Sequence, residues 1–293
     1  MTDQPRPAAS LDQMRALLAE LPDGGAPGRP GEGARAVLGR LGRRRIERPR
    51  LAIFAAAHGV AARLPAAPGP DMRRLIEAIL ERRAPVVAAA EAIDADLRLY
   101  ELAWPRPSGD ITHGPALDEA ACTAAMAYGM VAVDATADLL CLSALGAESA
   151  TAAQAIGLAL HGGQAADWAA PAAARLIAQA VARHREPAAD PFELLRRLGG
   201  EDIAAIAGAI LAARFAAIPV VLDGLAAVAA AALLQRAAPG AVGHCLITGD
   251  AGTPGGQRFA DRLGLPAVPG AEPGDGGVAA VTALRAELAQ TTS

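Results

Sequence analysis

Apolar and polar positions follow two rhythms along this chain. Short continuous apolar runs occur at LAIFAAA (Leu51 to Ala57), DLLCLSAL (Asp138 to Leu145), PVVLDG (Pro219 to Gly224) and AVGHCLITGD (Ala241 to Asp250). Their length and branching suit strands covered on both faces. LRLYELAW (Leu97 to Trp104) joins them through its aromatic residues and alternation. Helical spacing fills the intervals. Leu11, Met14, Leu17 and Leu18 mark a short helix that Ser10 can cap. ARAVLGRLGRRRIERPR (34–50) reads as a basic helix and MRRLIEAILERRAPVVAAAEAI (72–93) as one helical stretch. Asp118 can cap EAACTAAMAYGMVAVDAT. GAESATAAQAIGLALHGG, AAPAAARLIAQAVARHR, GQRFADRLGL and the segment after Gly277 supply further helices.

Leu194 to Leu234 condenses the pattern: a Gly-Gly turn, an apolar helix, a strand after Pro219, the Asp223-Gly224 turn and a second apolar helix. Strand and helix alternating in this way predict an α/β fold with a doubly wound parallel sheet. The expected boundaries are an N-terminal helical segment over 1–49, an α/β domain over 50–270, and a C-terminal glycine-rich loop with a helix over 271–293. The two terminal segments are expected to form a small helical subdomain.

Composition narrows the function. The 293 residues are 53% hydrophobic, and 27 basic against 31 acidic side chains give a net charge of −4. That balance carries no electrostatic footprint for nucleic acid or for an anionic membrane. The alanine-rich runs are too short to span a bilayer. Every basic side chain is arginine. The three cysteines are widely spaced without a CxxC pair, which predicts buried reduced thiols, no metal site and a cytoplasmic protein. The opening MTDQPRPAASLDQM lacks a basic stretch followed by an apolar run, so no secretory signal is expected.

Candidate chemistry lies in the turns. Glycine and polar residues meet at Ala57-His58-Gly59, Gly146 to Thr151, Gly199 to Asp202, Asp223-Gly224, Thr248 to Asp250 and Gly274 to Gly277. Turns that follow strands fall at the carboxyl edge of a parallel sheet, where helix N-termini present unpaired N–H groups to anions. GxSxG, the Walker A motif and GxGxxG are all absent, and the five histidines show no ligand spacing. His184 is expected in solvent and His244 in the core. His58, at a strand end, is the histidine to weigh as functional, against a turn-stabilising hydrogen bond. Asp275 reads by itself as a helix cap.

Taken in order, Ala56-Ala57-His58-Gly59, the GPAL helix start (Gly114 to Leu117), the glycine turn at Gly146, GGEDIAAIAG, PVVLDG and the Gly-acid-Gly at Gly274 to Gly276 resemble one family. It is the nicotinate-nucleotide–dimethylbenzimidazole phosphoribosyltransferases of cobalamin lower-ligand synthesis. The resemblance runs from about Arg50 to Ala289. It implies a Rossmann-like domain with a small helical domain, a homodimer, small-molecule substrates and no cofactor or metal. The implied reaction moves the phosphoribosyl group of nicotinate mononucleotide to a benzimidazole-type base, giving an α-ribazole phosphate-like product. Asp275 then stands at the general base, where the family has glutamate. Gly146, Ser149, Thr151, Gly199, Gly200 and Arg175 are assigned to the phosphoribosyl group, and His58, Glu77 and Leu145 to the base.

The chain departs from the family pattern at several positions. The family's Asp-His-Gly begins here with Ala57, its second pocket acid is Ala144, and Gly-Asn-Thr-Thr has become Glu148-Ser149-Ala150-Thr151. Its pocket serine and glutamine correspond to Gly69 and Glu77. The phosphate-binding lysine cannot exist in a chain without lysine, and Arg175 is the nearby substitute, with different donor geometry. Two readings follow: an active phosphoribosyltransferase, or a catalytically degenerate paralogue that binds a nucleotide or base, or partners an active homologue.

Overall fold

The computed structural model describes residues 10–22, 33–65, 71–102, 105–184, 190–249, 254–271 and 274–290. Gly69 and Asp250 lie outside the described residues. In chain order the elements are α1 (Leu11–Ala19), α2 (Ala34–Arg40), β1 (Pro49–Ala55), α3 (Met72–Leu80), α4 (Pro85–Ala92), β2 (Asp96–Glu101), α5 (Glu119–Val131), β3 (Leu139–Leu145) and α6 (Ser149–His161). They continue with α7 (Pro171–Arg183), α8 (Pro191–Leu194), α9 (Glu201–Phe215), β4 (Val220–Asp223), α10 (Leu225–Ala237), β5 (Cys245–Ile247), α11 (Pro254–Leu263) and α12 (Val278–Ala289).

The five strands form one parallel sheet in the order β2-β1-β3-β4-β5. The chain winds outward in one direction from β1 to β2 and in the other from β3 to β5. The doubly wound prediction is met, and a switch point lies between β1 and β3, where such sheets bind ligands beyond their carboxyl ends. Successive strand residues face opposite layers. Leu51, Leu139, Cys141, Val221 and Leu246 share an apolar cluster with Val37 and Leu38 of α2 and Val281 and Leu284 of α12. The terminal segments therefore pack on one sheet face. Ala52, Phe54, Leu140, Leu142, Val220 and Leu222 face the larger cluster built from α5, α6, α9 and α10.

Apolar all round, α9 is buried along nearly its whole length, as befits a helix enclosed by others. It approaches α5 at two glycines. A Cβ on Gly129 would lie 1.8 Å from the Ala205 carbonyl oxygen, and one on Gly208 1.9 Å from that of Met126. Only glycine permits this backbone-to-backbone contact.

Several boundaries differ from expectation. The stretch 72–93 is two helices, because Pro85 starts α4 and disfavours helical backbone at Ala84, and Arg82 turns the chain at φ 58°. The basic helix stops at Arg40; Gly42, at φ 71°, turns the chain, and Arg44 and Arg45 are exposed. α5 ends at Val131, and β5 is confined to Cys245–Ile247. His184 is not solvated. It is buried, and its Nε2 lies 2.9 Å from the Ile111 carbonyl and 3.2 Å from that of Gly114. Burial lowers its pKa against the effect of those carbonyls, so it pins the loop before α5 to the end of α7. His244 is buried immediately before β5, where burial and Arg214 lower its pKa to about 3.

Candidate active site

The carboxyl ends of β1, β3, β4 and β5 open into a cleft of about 620 Å³. One wall is apolar: Ile53, Leu75, Ile79, Pro85, Val86 and Leu145. The other carries Ser143, Ser149, Asp223, Thr248 and Asp275 among glycines. No arginine lines the cleft among the described residues. An apolar slot with a few convergent polar groups is the usual form of a small-molecule site.

Two carboxylates define its polar end. Asp275 precedes α12 and accepts the N–H of Gly277 through Oδ1 at 2.9 Å and that of Ala279 through Oδ2 at 2.7 Å. It is therefore a helix cap, as the local sequence suggests, and it also faces the cleft. Each oxygen keeps a lone pair beyond the one spent on the cap. Asp223, the last residue of β4, accepts the Gly274 N–H at 2.9 Å and lies 3.4 Å from the Thr248 hydroxyl, both through Oδ1. Its Oδ2 has no hydrogen-bond partner. Burial, opposed by the Gly274 N–H and reinforced by the Asp275 charge, raises its carboxyl to about 6. A carboxylate at the end of a buried strand is the signal that singles it out; reading Asp223-Gly224 only as a turn overlooks it.

Beside them, the turn from β3 to α6 rests on a buried polar knot. A Cβ on Gly146 would fall 2.4 Å from both the Ala56 carbonyl and Ser149 Oγ, so glycine is required there. Ser149 donates its hydroxyl hydrogen to Asp202 and lies 3.2 Å from His58 Nε2. That same nitrogen is 3.0 Å from Asp202 Oδ1. Burial draws His58 toward neutrality, but the charge and hydrogen bond of Asp202, with the fields of Glu148 and Glu201, outweigh it and raise its pKa. Burial pushes Asp202 up; His58, the Ser149 hydroxyl and the Ile203 N–H outweigh this and hold it ionised. Glu148, at φ 67°, takes the left-handed backbone, and its carboxylate accepts from the Thr151 hydroxyl.

Of the residues singled out in the sequence, Gly146, Ser149, Leu145 and Asp275 line the cleft together with Ala144. Thr151 is buried in the first turn of α6 and is not among the lining residues. His58 lies beneath Ser149 rather than on the cleft surface. A Cβ on Gly200, at φ 127°, would fall 2.4 Å from the His58 ring, and one on Gly199 2.9 Å from the Leu195 side chain. Glu77 is exposed on α3, on a different side from the cleft-lining Leu75 and Ile79. Arg175 is exposed on α7, away from the cleft lining. The Asp202 role was not legible in GGEDIAAIAG beyond an acid within an otherwise apolar helix.

A parallel 2-1-3-4-5 sheet with a ligand cleft and two carboxylates at its switch-point edge defines a doubly wound α/β protein built for a small-molecule substrate. The family model described as phosphoribosyltransferase, DBI_PRT, matches residues 34–289. The nicotinate-nucleotide–dimethylbenzimidazole phosphoribosyltransferase of Allorhizobium ampelinum is 44% identical over 230 residues, covering 75% of this chain and 68% of the relative. The protein of the same name from Rhizobium meliloti is 43% identical with the same coverage. The crystal structure of the Thermus thermophilus protein of that name superposes with a TM-score of 0.73 at 26% identity, covering 94% of this chain and 93% of the other. The chain belongs to the nicotinate-nucleotide–dimethylbenzimidazole phosphoribosyltransferase family.

Proposed function

We propose that this protein moves the phosphoribosyl group of nicotinate mononucleotide to a ring nitrogen of a benzimidazole-type base. The observation that carries this reading is the cleft itself, with an apolar slot on one side and two carboxylates on the other. A planar base fits between Ile53, Ile79 and Val86 with its N–H turned toward the polar end.

The acceptor's lone-pair nitrogen attacks C1′ of the donor. The bond from C1′ to the nicotinate ring nitrogen breaks, and its electron pair returns to the ring, which leaves neutral at that nitrogen. The second ring nitrogen of the acceptor gives its proton to Asp275, so atoms and charge balance. Because the pyridinium is already a good leaving group, positioning and one proton acceptor supply most of the acceleration. The carboxylates also face the positive charge that builds on the ribosyl carbon, which favours the transition state over the ground state. Gly146, Ser149 and the first amides of α6 are assigned to the donor's phosphoribosyl end, and Leu145 to the base.

The protein is further assigned to the cytoplasm, a reading supported by three free buried cysteines. It is assigned to a homodimer, supported by Tyr128 and Val131 of α5, which are 42% and 70% exposed. The decisive test incubates purified protein with nicotinate mononucleotide and a panel of benzimidazoles and follows released nicotinate by chromatography. Release that depends on the acceptor is expected. Ligand binding by calorimetry without release from any pair would leave a binding protein instead.

A further inference from the structure

No arginine lines the cleft among the described residues, and the chain has no lysine, so holding the anionic donor proposed above depends on how the backbone of the turn is placed. The group that braces the turn lies one layer deeper. His58 is only 3% exposed, at the end of β1, directly below the turn that starts α6. Its Nε2 is 3.0 Å from Asp202 Oδ1, 3.1 Å from Asp202 Oδ2 and 3.2 Å from Ser149 Oγ. Its Nδ1 has no partner, and a Cβ on Gly200 would fall 2.4 Å from the ring, so only glycine leaves room for it.

This arrangement is not a nucleophilic relay. In a relay the acid and the hydroxyl meet opposite nitrogens of the imidazole, and the hydroxyl proton points at the ring. Here both meet Nε2, and the Ser149 proton goes to Asp202. The hydroxyl is thus spent on the knot, and it can only hold the turn. What the turn presents to the cleft is the backbone of Gly146, Ser149 and Ala150, the last two in the first turn of α6.

We propose that the buried His58–Asp202 pair, acting through Ser149, positions the Gly146–Ala150 turn for the donor phosphate. This deepens the phosphoribosyltransferase reading and rests on it. His58 is a positioning residue: it touches neither substrate nor reacting atoms. The ionisable groups that face His58 are Asp202 and Glu201 of α9 and Glu148 at the start of α6, all acidic. Their charges outweigh burial and raise its pKa.

The test compares wild type, Ser149→Ala, and the neutral double variant His58→Gln with Asp202→Asn. Each is assayed with nicotinate mononucleotide and with nicotinate riboside, which lacks the phosphate, and 5,6-dimethylbenzimidazole as acceptor. Both variants should raise KM for the mononucleotide about tenfold or more while leaving KM for the base nearly unchanged. The advantage of the mononucleotide over the riboside should shrink. Equal losses with both donors, or a change confined to the base, would overturn the assignment. An NMR titration of the histidine rings in the full-length protein reads the charge independently of turnover. The His58 resonance should titrate above the ordinary imidazole range in wild type and in Ser149→Ala, and drop in Asp202→Asn. A His58 that titrates alike in the wild type and in Asp202→Asn sinks the proposal even if catalysis is intact. A protein that releases nicotinate from neither donor refutes the phosphoribosyltransferase reading instead, and the titration still reports on the pair.

Discussion

Asp223 Oδ1 accepts the backbone N–H of Gly274 at 2.9 Å, fastening the end of β4 to the loop that carries Asp275. The two carboxylates are thereby held in one rigid unit. Asp223 sets where the loop sits, Asp275 caps the helix that follows, and the Asp275 charge raises the cost of placing negative charge on Asp223.

Asp275 has a structural and a chemical task that one substitution separates. The Asp275→Asn variant keeps one acceptor oxygen and loses the other, so α12 gives up one of its two cap bonds. Stability should fall by about 1 kcal/mol or less in urea titration. Nicotinate release should fall by about 10²-fold or more, since the proton acceptor is gone. An unchanged rate would remove Asp275 from the mechanism.

The carboxyl of Asp223 predicts a particular dependence of stability on pH. Its pKa is raised from 3.8 to about 6 on folding, so the folded chain binds the proton more tightly than the unfolded chain. Stability therefore decreases as pH rises from near 4 to about 6, and the full penalty, on the order of 3 kcal/mol, is present above that. Asp223→Asn should flatten this part of the curve, with the difference between the two proteins read from urea midpoints at several pH values. Parallel curves would contradict the assignment.

Gly129 and Gly208 should be intolerant of alanine. A methyl at either position meets a carbonyl oxygen of the facing helix at under 2 Å, so α5 and α9 must separate, at about 3 kcal/mol or more. Gly39, interior to α2 with nothing within 4 Å of an added Cβ, is the control. Gly39→Ala should stabilise by about 0.5–1 kcal/mol through the loss of unfolded-state freedom.

The three thiols should be silent in the native protein. Cys122, Cys141 and Cys245 are free and buried, and burial pushes Cys122 up to about 12 and the other two upward as well. A thiol reagent at pH 8 should label none until urea unfolds the chain and then label all three. Rapid labelling of any one would place it at a surface the fold does not expose.

Local order was legible in the sequence because it is written in local chemistry. Ser10 and Asp118 accept the first-turn N–H groups of α1 and α5 as their side chains allow. The apolar runs at Leu51, Leu139 and Val220 form strands because both their faces must leave water. The fold class followed from that alternation, and the family from the ordered glycine and acid motifs. The turn positions Gly146, Ser149 and Asp275 reached the cleft because strand ends of a parallel sheet converge on one edge.

What the chain order could not state was which distant groups would meet. His58 and Asp202 are 144 positions apart and meet through the His58 Nε2 and the Asp202 carboxylate only because β1 and α9 are brought together in the folded molecule. Asp223 and Gly274 meet across 51 positions, and His184 is buried by a loop 70 positions or more before it. Burial and charge coupling are properties of such meetings. A side chain's neighbours in sequence set its cap, its turn or its strand, whereas its ionisation and its access to the cleft depend on desolvation by residues that only the tertiary structure supplies.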